Sequence, residues 1–400
     1  MSARPRVAMV VQRYGPEITG GSESLARAVA ERLAAEFEIT VFTTCARDYV
    51  TWRNELPEGE QHVAGVTVRR FAAEEERDLA AFNEFSDTLY GRPHSDADEE
   101  SWLRRQGPYV PRLVEALRSG KDAFAAVFFF TYLYYPTVAG LAAAPERAIL
   151  VSTAHDEPPL RFRLYERVFA APRAFAFLTG PEEALVRARF DLGSRPAILA
   201  GIGVETPDAP DVEGFRIRHD LDRPYVLYAG RIDAGKGCAE MLAFHERYRR
   251  DRAGAAPLVL IGKLAMPEPR LPGVRYLGYL SEDEKFAAMA GARAVVCPSP
   301  YESLSIVLLE ALSLGTPVLA TARSAVLRDH CLRSNAGLFY EDGDEFVEAL
   351  DLLVARGDLR AAMADCGRAY VRAGYAWPAV LERYRGLVDA VRAPAPGTGP

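Results

Sequence analysis

Short apolar runs alternate with longer stretches of helical period along almost the whole chain. Residues 7–11, 38–43, 66–71, 126–130, 148–153, 174–178 and 197–199 read as buried strands. After a break, residues 225–229, 257–261, 274–276, 294–297 and 318–321 read the same way. Each run is nearly all apolar and is followed by a helical pattern, the signature of parallel strands covered on both faces. The chain is therefore expected to be α/β, with a doubly wound sheet built twice. At 400 residues it exceeds the size at which a single core keeps growing, so two domains are expected. The division predicted is 1–205 for the first domain and 206–222 for a linker containing Pro207 and Pro210. Then come 223–375 for the second domain, 376–392 for a C-terminal helix, and a Pro/Gly-rich disordered tail over 393–400.

Residues 72–110 break the rhythm. Glu74-Glu75-Glu76-Arg77-Asp78 and Asp96-Ala97-Asp98-Glu99-Glu100 flank aromatic residues and suggest charged helices inserted into the first domain. Asp96-x-Asp98 has the spacing of a metal-binding carboxylate pair, but it follows a polar stretch, Gly91-Arg92-Pro93-His94, instead of a buried strand. No metal site is assigned to it.

Composition narrows the classes. An apolar share of 49% and a charged share of 26% are those of an ordinary globular protein, and a net charge of −7 excludes a nucleic-acid partner. Five scattered cysteines form neither a zinc spacing nor a disulfide framework and fit a reducing, cytoplasmic setting. No signal peptide is expected at the apolar start, and the longest apolar stretch, 124–135, is too short to span a bilayer.

Two motifs carry chemistry. Residues 225–229 run directly into Gly230-Arg231-Ile232-Asp233-Ala234-Gly235-Lys236-Gly237. A glycine at the strand end lets a ligand approach the backbone, and Arg231 and Lys236 supply two cations on one loop, the outline of a diphosphate clamp. The lysine is not followed by Ser or Thr and the glycine spacing is not Gly-x-Gly-x-x-Gly, so P-loop and dinucleotide readings fall away. Further on, Glu302 and Glu310, separated by seven residues, straddle the passage from a loop into an apolar helix. That helix is predicted to begin near Ser303–Ser305 with a serine N-cap, placing Glu302 at its mouth and Glu310 about two turns inside. A helix start holds phosphate and a neighbouring carboxylate accepts hydrogen bonds from sugar hydroxyls.

Gly-Arg-x4-Lys-Gly followed by Glu-x7-Glu and Gly315-Thr316-Pro317-Val318 resembles the retaining glycosyltransferases of family 4 (glycosyl transferases group 1). The resemblance implies the GT-B fold: two Rossmann-like domains facing across a cleft, with a C-terminal helix packed back on the first. It implies transfer of a sugar from a nucleoside-diphosphate sugar, with retention and without a metal or other cofactor, to a sugar, lipid-linked or small-molecule hydroxyl. Polysaccharide, glycolipid or natural-product glycan synthesis is the implied setting, with peripheral contact at the inner face of a membrane as the place a lipid-linked acceptor is met. By the same resemblance Arg231, Lys236, Glu302 and His155 are the catalytic group, His155 standing after a strand and before Asp156-Glu157-Pro158-Pro159. Gly20, Gly21, Gly230, Ser303, Leu304, Ser305 and Glu310 bind the donor, Glu310 at the ribose. No side chain is a general base, and in the family the leaving phosphate takes the acceptor proton. The pattern departs from relatives at Ser303 and Ser305, where glycines are common, at Gly262-Lys263-Leu264 and at Ile202-Gly203-Val204-Glu205. A nucleotide-sugar epimerase of the same fold and a non-catalytic nucleotide-sugar-binding protein are the alternatives.

Overall fold

A computed structural model describes residues 4–392. They form two units, one taking in the chain up to Ile202 and again from Val380, the other Gly203–Ala379.

The first unit is built on an eight-stranded sheet: β1 (Arg6–Val10), β2 (Glu38–Thr44), β3 (Gly59–Val63), β4 (Val66–Phe71), β5 (Ala126–Phe130), β6 (Ala148–Val151), β7 (Ala174–Phe177) and β8 (Ala197–Leu199). The order is β3-β4-β2-β1-β5-β6-β7-β8, and all neighbours run parallel except the antiparallel pair β3 and β4. Central strands such as β5, Ala-Val-Phe-Phe-Phe, are buried at every residue, which is why they read as unbroken apolar runs. The exception escaped the pattern: β3, Gly-Glu-Gln-His-Val, is an edge strand with a mostly exposed, polar sequence. In the second unit six strands, β9 (Val226–Ala229), β10 (Leu258–Ile261), β11 (Val274–Tyr276), β12 (Val295–Cys297), β13 (Val318–Thr321) and β14 (Gly337–Tyr340), are all parallel in the order β11-β10-β9-β12-β13-β14.

Both sheets reverse their direction of growth once, between β1 and β5 and between β9 and β12. At such a switch point the loops leaving the two neighbouring strands diverge to opposite faces and open a crevice at the strands' carboxyl ends. The loop after β9 is the one bearing Arg231 and Lys236, and the loop after β12 bears Glu302.

The chain passes between the units twice. In the second unit the two crossings are joined: Val204 N–H donates to the Tyr375 carbonyl at 2.8 Å, and the Trp377 ring lies so close over Gly203 that a Cβ there would be 2.1 Å from it. The residues read as a linker, 206–222, carry a helix, Val212–Arg218, whose neighbour His219 places Nε2 3.3 Å from Glu284 Oε1 in the same unit. The final helix, Trp377–Arg392, enters the first unit, where the Tyr384 hydroxyl donates to Gly201 O at 3.2 Å and Arg385 pairs with Glu36 at 2.6 Å. The tail over 393–400 lies outside the described residues.

Residues 72–110 form two helices, Leu79–Leu89 and Asp96–Gln106. Asp98 there belongs to a capping box with Ser95, and Asp96 pairs with Arg163 at 2.7 Å. Their charge conceals an anchor. Glu99 is 1% exposed and accepts from the N–H groups of Arg163 and Leu164 at 3.0 and 2.7 Å, at the start of the helix Leu164–Ala170. Trp102, equally buried, donates to the Ser86 hydroxyl at 2.9 Å. Among the described residues no helix is long and apolar enough to cross a membrane.

Candidate active site

β9 is followed directly by Gly230, and the chain there is in backbone contact with its neighbour. A Cβ on Gly262, where φ is 129°, would stand 2.0 Å from the Gly230 carbonyl oxygen, so only glycine fits. The loop that follows is held from within. The Tyr228 hydroxyl donates to Arg231 O at 2.7 Å, Asp233 Oδ1 accepts from Lys236 N–H at 2.8 Å, and Asp233 Oδ2 pairs with the Arg231 guanidinium. Burial pushes the Tyr228 phenol well above its usual range, so it stays a donor. At the loop's end Gly237 has φ 75°, and a Cβ on it would be 2.3 Å from the Pro298 carbonyl of the loop after β12. The two switch-point loops therefore touch backbone to backbone.

Their side chains meet as well. Lys236 Nζ is 2.8 Å from Glu302 Oε1 and 3.5 Å from Ser299 Oγ, and that hydroxyl donates to Tyr301 O at 3.1 Å. Both ionic groups are only half-buried. Just beyond Glu302 the helix runs from Ile306 to Leu314. The serine N-cap expected there is not made by a side chain. Ser305 occupies the cap position in the left-handed region, φ 69° and ψ 81°, and forms no side-chain cap bond, because in that conformation its hydroxyl does not face the first-turn N–H groups. Glu302 precedes the helix by a full loop, and Glu310 is its fifth residue, little more than one turn inside instead of two.

Glu310 does not join Glu302. It is 9% exposed and binds Lys285 Nζ at 2.9 Å through Oε1, while that ammonium also reaches Glu282 at 2.8 Å. Burial raises the Glu310 carboxyl and Lys285 pulls it back; burial lowers the Lys285 ammonium, but Glu310 and Glu282 outweigh it and hold it above its usual value. The two directions oppose one another for a single contact, and the 2.9 Å geometry favours the charged pair.

In the first unit Gly20 caps the helix Gly21–Leu33 at the carboxyl end of β1. Beneath it Arg13 and Glu23, each 5% exposed, pair at 2.6 Å, and Arg13 also donates to the carbonyls of Thr19 and Arg47 at 3.2 and 3.0 Å. A Cβ at Gly20 would lie 2.3 Å from Glu23 Oε2, whereas one at Gly21 would meet nothing within 4 Å. His155 follows β6, with Nε2 3.4 Å from Glu157 Oε1, which accepts from the Tyr132 hydroxyl at 2.7 Å. Its loop rests on Glu182, a fully buried carboxyl accepting from Ser152 Oγ at 2.5 Å, Ala154 N at 2.8 Å and Leu178 N at 2.6 Å; burial raises it to about 7.

Arg231, Lys236, Gly230, Glu302, Ser303, Leu304 and Ser305 are thus gathered at one switch point. Gly20, Gly21 and His155 stand at strand ends of the other unit. Sequence reasoning missed Asp233, Lys285 and Glu182. Asp233 was discoverable, since an aspartate between two loop cations is well placed for an Asx turn. Lys285 sits in the ordinary Ser-capped acidic helix Glu282–Gly291 and gave no signal.

This pair of sheets has counterparts among known structures. Sucrose-phosphate synthase from Thermosynechococcus elongatus superposes with a TM-score of 0.71 at 18% identity, over 97% of this chain and 100% of that one. Anabaena HepE in complex with UDP gives 0.68 at 13%, over 96% and 100%. The fold is that of the GT-B glycosyltransferases. In sequence the chain is 27% identical to the D-inositol 3-phosphate glycosyltransferase of Frankia alni, over 94% of this chain and 96% of that protein. It is 33% identical to the glycogen synthase of Thermus thermophilus, over 38% and 36%. Residues 212–370 match the family described as glycosyl transferases group 1.

Proposed function

We propose that the protein moves a sugar from a nucleoside-diphosphate sugar to a hydroxyl with retention of configuration and without a metal ion. The observation that carries this reading is the Lys236–Glu302 contact, a loop cation and a carboxylate 2.8 Å apart at the β9/β12 switch point, chemically suited to a phosphate and to sugar hydroxyls respectively. When the bond between the anomeric carbon and the β-phosphate oxygen breaks, negative charge grows on the phosphate. Arg231, Lys236 and the first-turn N–H groups of the helix Ile306–Leu314 stabilise it. Glu302 accepts hydrogen bonds from donor-sugar hydroxyls and orients the anomeric carbon. Glu310, held by Lys285, serves the ribose, and His155, Gly20 and Gly21 serve the donor phosphate and sugar; these roles rest on family resemblance. The new bond from the acceptor oxygen forms on the face the phosphate leaves, and the acceptor proton passes to that phosphate. The reading is supported by the UDP complex of HepE and by the trehalose-phosphate enzyme of E. coli solved with UDP-2-fluoro glucose. The Frankia relative's name makes phosphorylated polyols a first class of acceptor to try, beside sugars and lipid-linked hydroxyls.

The test is incubation with UDP-, GDP-, ADP- and TDP-sugars, with and without an acceptor panel, followed by mass spectrometry and NMR of the anomeric proton. Acceptor-dependent release of nucleoside diphosphate with an anomer matching the donor is expected. Acceptor-independent isomerisation of the donor would make the protein an epimerase, and tight binding without turnover would make it a binding protein.

A further inference from the structure

His330, to which no role has been assigned above, lies on the helix Ala325–Ser334 and is 1% exposed. Its Nε2 is 2.8 Å from the carbonyl oxygen of Leu304, and its Nδ1 is 2.9 Å from the Tyr370 hydroxyl. A carbonyl only accepts, so Nε2 carries the proton. A neutral ring then leaves Nδ1 as an acceptor, and the Tyr370 hydroxyl must donate to it. Burial lowers the imidazole to about 4, so this single tautomer persists at neutral pH. The Tyr370 oxygen is 3.3 Å from the Tyr375 hydroxyl, which is placed to donate to it. The result is a one-way chain of hydrogen bonds from Tyr375 through Tyr370 and His330 to the Leu304 carbonyl. Tyr375 is the residue whose own carbonyl accepts from Val204 where the two crossings are joined.

The chain ends at the residue immediately before the strained one. Ser305 is held at φ 69°, a region that costs free energy for any residue with a Cβ and persists only where its surroundings fix it. The Leu304 side chain is buried and its carbonyl is tied to His330, so the peptide leading into Ser305 cannot rotate without breaking a buried hydrogen bond. That peptide sets the direction in which the first turn of the helix Ile306–Leu314 presents its N–H groups beside Glu302.

We infer that His330, oriented by Tyr370, is the positioning residue that holds the 302–305 loop in its donor-binding conformation. The functional half of this inference rests on the donor-site reading above; the conformational half does not.

Hydrogen–deuterium exchange on the whole protein, paired with nucleoside-diphosphate titration, tests both halves. His330→Phe keeps the ring's bulk and removes both polar contacts, Tyr370→Phe removes one hydroxyl, and His330→Gln restores a donor toward Leu304. In His330→Phe, amides of residues 303–308 are expected to exchange at least about tenfold faster while the rest of the second unit stays protected, and nucleotide affinity falls by a similar factor. His330→Gln should recover both to within about threefold, and Tyr370→Phe should fall between. Unchanged exchange at 303–308, an increase spread evenly over the second unit, or a failure of Gln to rescue overturns the inference. If His330→Phe does not fold, Tyr370→Phe decides by the same local criterion. If the wild-type protein binds none of the nucleotides, the donor-site reading fails while the exchange comparison still decides what His330 holds.

Discussion

Lys236 Nζ and Glu302 Oε1 lie 2.8 Å apart although they leave different strands, β9 and β12, which are neighbours because the second sheet reverses its growth between them. The pair couples the two halves of the ligand expected there, a cation for the diphosphate and a carboxylate for the sugar. Neither group is deeply buried, so the contact is a matter of placement more than of stability.

Lys236→Ala, Arg231→Ala and Glu302→Ala should each lower turnover at least about tenfold, the loss of one charge-assisted hydrogen bond in the transition state. Circular dichroism and the melting temperature should stay close to those of the wild type. Steady-state kinetics with the preferred donor check this, and near wild-type rates in all three would remove the site.

Lys285 and Glu310 are a different kind of pair. Lys285→Ala leaves a buried carboxylate without its partner, and urea unfolding should show a loss of about 2–4 kcal/mol. The double variant Lys285→Met/Glu310→Leu should recover most of that stability and none of the activity. A single variant within about 0.5 kcal/mol of wild type would mean that water reaches the pair.

Glycines separate folding from function. Gly262→Ala and Gly237→Ala push a Cβ to 2.0 and 2.3 Å from backbone oxygens at positive φ, and each should destabilise the second unit by more than about 3 kcal/mol. Gly21→Ala meets nothing within 4 Å and lies in a helix, so its melting temperature should hold or rise. If Gly21 approaches the donor phosphate as its family position implies, that stable variant should still lose activity, which a parallel melt and assay will show.

The paired parallel sheets were legible because β1, β5, β9 and β13 are buried nearly throughout and therefore almost wholly apolar. β3 and β14 were not: the first is a polar edge strand, and the second, Gly-Leu-Phe-Tyr at the other sheet's edge, is too short and half-exposed to stand out. The candidate clamp residues were legible as a pattern because a glycine and two cations directly follow a buried strand. What holds them was not. Asp233, bonded within its own loop, left only an Asx-turn signal, whereas Lys285, His330 and Glu182 act through partners distant in sequence, as Glu99 of the charged insertion does with Leu164, and no local pattern reports such contacts. The left-handed Ser305 was also hidden, since serine before an apolar run signals an ordinary cap.

Acid and base dependence should differ between the units. Burial lowers His330 to about 4 in the folded state, so between roughly pH 6.5 and 4 the unfolded chain binds the extra proton and stability falls as pH falls, by up to about 1.4 kcal/mol per pH unit. Glu182, raised to about 7, has the opposite sign: the folded state binds the extra proton, and its contribution is lost as pH rises from about 4.5 to 7. Stability of His330→Phe and Glu182→Gln, each measured relative to wild type at pH 4.5, 5.5, 6.5 and 7.5, should therefore trend in opposite directions. Parallel trends would contradict these assignments.

The most direct test of the donor site is calorimetric titration of UDP, GDP, ADP and TDP into the protein in the presence of EDTA, with Arg231→Ala and Lys236→Ala alongside. Saturable binding of one nucleotide without metal, weakened at least about tenfold in either variant, is the predicted result. Failure of all four to bind the folded wild type, or binding that needs a divalent cation and ignores both substitutions, would contradict it.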